Sequence, residues 1–137
     1  MNILAFDTCL GACSAALAQG EGPERRIAAR FELRERQHAE TIMGMIGEVL
    51  EEVALDWASL DAIAVTRGPG SFTGVRVGVA AARGLALALG KPLIAATSLE
   101  VMARQAAGEL VRPGNGFAVA VDGRRGEVYF ARYDAGG

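Results

Sequence analysis

The sequence predicts an α/β fold of order βββαβαβα followed by a closing ββ pair. Three observations carry that expectation. Apolar residues come in short alternating runs as far as Leu33; from His38 they recur three or four apart; and from Asp61 strand-like and helix-like stretches take turns.

In order, "NILAFDT" is a short apolar strand, "LG" a turn and "ACSAALAQ" a second strand. Gly and Pro in "EGPE" mark another turn before "RRIAARFEL", where Ile27, Ala29 and Phe31 alternate with Ala28, Arg30 and Glu32. We expect these three strands to be antiparallel. Ala39, Ile42, Ile46, Val49 and Val53, flanked by Met43 and Leu50 and widened by Met45, then form the apolar stripe of a helix whose polar face carries Glu40, Glu48, Glu51 and Glu52. Asp61 to Thr66 is a strand, and Thr73 to Leu89 a second helix, ended by "GKP". "LIAAT" is a strand, and "TSLE" has capping-box spacing for a third helix running to about Ala107. "RPGNG" is a loop, where we place the boundary between a lobe of residues 1–108 and the beginning of a second, 109–137. "FAVAVDGRRGEVYFARYD" is a hairpin turning through Gly123 to Gly126.

A chain of 137 residues buries about two-thirds of its unfolded surface, so a core forms without staples. An apolar fraction of 51% with 22% charged residues spread along the chain indicates a folded, soluble protein. No run approaches the ~20 apolar residues of a membrane helix, and the start lacks a basic region and cleavage site; the expected location is the cytoplasm. A net charge of −2 argues that nucleic acid would have to be gripped by a partner. Cys9 and Cys13 read as buried free thiols.

The stretch "TRGPGSFTGVRVG" resembles a phosphate loop but has no lysine. Its backbone N–H groups, Ser71 and Thr73 sit where an anion could bind a helix N-terminus. The stronger reading is structural: Gly68, Pro69 and Gly70 make a tight strand-to-helix turn, with Ser71 or Thr73 as N-cap. The helix behind it contains Gly74, Gly78 and Gly84 besides Ala82. Each helical glycine costs about 1 kcal/mol relative to alanine, so another backbone is expected close by, from the same domain or a second chain. His38 is the only histidine, which leaves no triad and no zinc cluster; we place it as a capping or surface residue. Asp7 and Asp122 end strands in matching positions, either as turn residues or near a nucleotide.

"ILAFDTCLGACSAAL", "RQHAETIM", "RGPGSFTGVRVGVAAARGLALAL" with "PLIAATSLE", and "VAVDGRRGEVYFARY" together resemble the TsaB (YeaZ) family of the bacterial tRNA threonylcarbamoyladenosine pathway, over nearly the whole chain. The resemblance implies the ASKHA (actin-like ATPase / ribonuclease H-like) fold. It also implies a non-catalytic partner that binds and activates TsaD, which carries the metal and transfers a threonylcarbamoyl group to the adenosine beside the anticodon; the ATPase TsaE completes the assembly. By the same resemblance the chain is a homodimer when alone and meets tRNA only through the complex. It needs no cofactor itself, and ATP or ADP and metal belong to the partner complex.

The family's glycine-rich loop falls on Gly68, Pro69, Gly70, Ser71, Phe72, Thr73 and Gly74, its first aspartate on Asp7, and its second-lobe motif on Asp122, Arg124, Gly126, Glu127, Val128 and Tyr129. Gly123 replaces a common alanine, and Cys9 a small hydroxyl residue. Family members usually continue well beyond this length, so residues 109–137 are expected to form an incomplete second lobe. The family's association face implies docking through Ile42, Met43, Met45 and Ile46 of the first helix and Gly74, Arg76, Gly78 and Ala82 of the second. The alternatives are an ATP-binding ASKHA enzyme that hydrolyses nucleotide and, more remotely, a glycoprotease.

Overall fold

The computed structural model describes residues 1–33, 38–109 and 114–134. Part of the "RQHAETIM" motif, the start of the "RPGNG" loop next to the expected lobe boundary, and residues 135–137 lie outside the described residues.

Strands β1 (Asn2–Asp7) and β2 (Ala12–Gln19) form an antiparallel hairpin, and β3 (Arg26–Leu33) continues it, with Ala28 opposite Leu17. On the other side of β1 lie β4 (Ala62–Thr66) and then β5 (Leu93–Ala96), both parallel, giving the order β3-β2-β1-β4-β5. Parallel neighbours need long crossovers, which α1 (His38–Glu52) and α2 (Phe72–Leu89) supply. Two short 3-10 turns, Gly22–Glu24 and Trp57–Ser59, were not legible in the sequence.

The core lies between the sheet and these two helices. Leu4 and Phe6, Ala15 and Leu17, and Ile63 and Val65 point every second residue toward Ile42, Ile46, Val49 and Leu50 of α1 and Ala82 of α2. Each large aliphatic buried there is worth about 1.5–3 kcal/mol. On β3 the buried partner is Ala28, while Ile27 and Phe31 stand 65% and 69% exposed on the far side. The reason is α1, which covers the Ala28 side and is tied there by Arg30 to Glu48 (3.0 Å) and Glu52 (2.7 Å). On the far face, Ala5, Ala16, Ala29, Phe31, Ile94 and Val101 line an apolar hollow of about 410 Å³.

Helix α2 begins at Ser71, whose Oγ accepts the Gly74 N–H at 3.0 Å, so the N-cap is Ser71 and not Thr73. It ends at Gly90, which takes the left-handed conformation at φ 63 while Lys91 N donates to Ala86 O. Contrary to the expectation that no run comes near a membrane span, α2 is long and apolar enough by length and composition to cross one, with only 17% of it buried. Its two arginines stand on its exposed side, and its small face packs on the sheet.

Helix α3 (Ser98–Glu109) starts with the expected capping box: Thr97 N donates to Glu100 Oε2 at 2.6 Å, and Glu100 N to Thr97 Oγ1 at 3.1 Å. Against α3 packs the hairpin of β6 (Phe117–Arg124) and β7 (Glu127–Tyr133), closed at its base by stacking of Phe117 on Tyr133.

The Thr97 N–H holds the Glu100 carboxyl below its usual value. A lowered folded value stabilises above the ordinary glutamate range, and that stabilisation is lost as pH falls from that range through the lowered value. We expect Thr97→Ala to cost about 1 kcal/mol in urea denaturation at pH 7, and the gap between wild type and Glu100→Gln to close in the same experiment below about pH 4.

Candidate functional site

The glycine-rich loop folds onto the turn after β1. Ser71 N donates to Cys9 O at 2.6 Å, and a Cβ added at Gly70 would lie 2.2 Å from that same oxygen. Asp7 organises the turn from below: its Oδ1 accepts the Cys9 N–H at 2.7 Å and the Thr66 hydroxyl, while the Cys9 thiol donates to Thr66. Burial pushes the Cys9 thiol above its usual value, the opposite of what a nucleophilic cysteine needs. The buried thiols expected from the sequence are what the structure contains.

Thr8 is the centre of this arrangement. Fully buried, it donates from Oγ1 to Gly74 O at 2.6 Å, and its carbonyl accepts from His38 Nδ1 at 3.2 Å, which sets the Nδ1–H tautomer. His38 is therefore an interior residue at the start of α1, not the surface or capping group expected. A Cβ at Gly74 would come 2.0 Å from Thr8 O, and one at Gly78 2.6 Å from Thr8 Oγ1. The glycine seam of α2 thus faces its own lobe.

The structure places most of the expected docking residues inside the lobe. Ile42 and Ile46 are fully buried and Met45 nearly so, all within the core cluster, and Gly74, Gly78 and Ala82 are likewise engaged in internal packing. Met43 and Arg76 remain at the surface. The apolar stripe of α1 packs on its own sheet, chiefly on β2 and β3.

What faces outward is a different set. Phe72, Arg76, Ala80, Arg83, Gly84 and Leu87 form one exposed ridge along α2 at spacings of three and four, with Phe72 77% and Leu87 87% exposed. The Arg76 guanidinium lies over the Phe72 ring, 5.0 Å from its centroid. At Gly84, and at Gly44 and Gly47 on α1, an added Cβ would meet nothing within 4 Å. Helical glycines bordered by open space have no internal reason to be glycine. The sequence signal was present in Gly84 and in the Arg76/Arg83 heptad spacing, but it was masked by the denser glycine pattern before it.

A second feature is a cleft of about 990 Å³ between the start of α2 and the β6–β7 turn, bordered by Ser71, Thr73, Asp122, Arg124, Glu127 and Tyr129. Asp122 accepts the Arg124 N–H at 2.8 Å, as Asp7 accepts the Cys9 N–H, so the two aspartates do repeat one turn geometry. They do not converge, because Asp122 lines the cleft whereas Asp7 borders the hollow on the far face of the sheet.

The family model of TsaD, tRNA N6-adenosine threonylcarbamoyltransferase, matches residues 31–137. The Escherichia coli K12 protein named tRNA threonylcarbamoyladenosine biosynthesis protein TsaB is 40% identical over 133 residues, 97% of this chain and 55% of its own. The tRNA N6-adenosine threonylcarbamoyltransferase of Erythrobacter litoralis is 51% identical over only 69 residues, half of this chain and 20% of its own. The solved structure of YeaZ from Pseudomonas aeruginosa superposes with a TM-score of 0.86 at 38% identity, over 97% of this chain and 60% of that one. The chain spans about half the length of the curated relatives it matches. These likenesses bear out the ASKHA-type α/β fold expected from the sequence.

The two kinds of glycine are expected to respond oppositely. Gly74→Ala drives a methyl into the Thr8 carbonyl and should destabilise by about 3 kcal/mol or more. Gly84→Ala should stabilise by roughly 0.5–1 kcal/mol. Urea denaturation of both variants measures the contrast, and a stable Gly74→Ala would show that the seam is not tight.

Proposed function

The chain belongs to the TsaD family and, by its likeness over nearly its whole length, to the TsaB (YeaZ) proteins, and from that premise we propose that it is an accessory protein that binds and activates the TsaD transferase in tRNA threonylcarbamoyladenosine formation. One comparison supports the helper over the transferase. The TsaB protein aligns along 97% of the chain, while the transferase aligns along half of it. The single observation that carries docking is the outer ridge of α2, a line of exposed residues on an apolar helix with a glycine beside open space.

In this reading α2 docks through Phe72, Arg76, Ala80, Gly84 and Leu87, with Met43 and Gly44 of α1 beside it. The chain self-associates through the same face when TsaD is absent. TsaE joins the assembly, tRNA is held by the complex, and ATP or ADP and metal act in the partner complex with no cofactor in this chain. Such an assembly works in the cytoplasm. The cleft beside Asp122 favours the second reading, an ATP-using protein, since Ser71 and Thr73 stand at its α2 border; the loop hydrogen bonds to Cys9 and Gly74 favour a positioning role for that loop.

The test is threonylcarbamoyl transfer to tRNA by TsaD, TsaE and the threonylcarbamoyl-adenylate synthase, with and without this chain. Transfer is expected only when the chain is added. Gly84→Leu should abolish both transfer and the complex with TsaD while the unfolding midpoint stays within a few degrees of wild type. An intact complex in that variant would remove α2 from the interface.

A further inference from the structure

The charge on the α2 ridge is of one sign. From Phe72 to Leu89 the helix carries Arg76 and Arg83 and no aspartate or glutamate, and Lys91 follows just beyond its end. Neither arginine makes an ion pair among the described residues, and Arg76 is held in place over Phe72. Arg76 and Arg83 are seven residues apart, two helical turns, and the strip between and beyond them is Ala80, Gly84 and Leu87. Small residues there admit a second helix at close range, and Leu87 offers it an apolar grip.

We propose that this ridge selects a partner helix that presents carboxylates on either side of a small-residue apolar seam, with Arg76 and Arg83 as the charge-reading residues. The inference rests on the docking reading above and adds the chemistry of the partner's surface. Rim charges of this kind steer encounter and exclude wrong partners more than they add affinity. The heterologous partner is favoured over a second copy because a second copy would set one basic ridge against another, and of the four carboxylates on the polar face of this chain's α1, Glu48 and Glu52 are already held by its own Arg30, leaving Glu40 and Glu51.

Two synthetic amphipathic helices test it, identical in an alanine and leucine seam but flanked by glutamate in one and lysine in the other. Titrated into isotopically labelled full chain, the glutamate helix is expected to shift the amides of α2 and to bind about ten-fold tighter or more than the lysine helix at low salt. The preference should reverse in Arg76→Glu/Arg83→Glu, both exposed positions, with the fold checked by the amide spectrum of the variant. Equal binding of both helices, or binding of neither, overturns the proposal. So does loss of self-association in the double variant without any preference between the helices, which would identify a second copy as the occupant. Binding of TsaD to wild type is measured in parallel at 50 and 500 mM NaCl. No binding at either salt refutes the docking reading and leaves the peptides to decide the charge selectivity, whereas binding that ignores both salt and the double variant overturns the selectivity alone.

Discussion

The approach of Thr8 to the backbone of α2 is the constraint on which the rest of the lobe depends. With Gly74 and Gly78 bare of side chains, the helix lies low enough for Thr8 Oγ1 to reach Gly74 O, and the Thr8 carbonyl is left to receive His38. One residue thereby fixes the end of β1, the first turn of α2 and the first residue of α1. An unpaired buried hydroxyl or carbonyl costs on the order of 1–3 kcal/mol, so these bonds specify the arrangement as well as stabilise it. The glycine-rich loop follows from this contact. It has to pass over the β1–β2 turn in the space that remains, and Gly70 is small because Cys9 is directly beneath it.

Most of the fold could be read from the residues because local signals and tertiary structure agree. The period-two strands, the three-or-four stripe of α1, the Thr97/Glu100 capping box and the Gly90 stop each appear where the sequence places them. Which helix faces lie inside and which outside was less legible, for a definite reason. Periodicity shows that Ile42, Met45 and Ile46 share a face but not what covers it, and a helical glycine shows that something comes close but not from which side. Only the direction of the missing Cβ separates Gly78, which would strike Thr8, from Gly84, which would strike nothing. Asp7 illustrates the same limit, since a strand-ending aspartate looks alike whether it organises a turn or faces a ligand.

The internal and external faces of α2 are linked by energetics. Docking costs the ordering of whatever must be fixed at the interface, and a surface already held in its bound geometry avoids much of that cost. Here the inner face is pinned by its N-cap, by Thr8 and by packing of Ala82 in the core. The outer ridge inherits that rigidity without spending any of its own side chains on it. Only Arg76 is pre-set locally, by its ring contact. α2 is thereby a stiff helix held at a fixed angle to the sheet. Gly74 and Gly78, which weaken α2 as an isolated helix, are what seat it on Thr8.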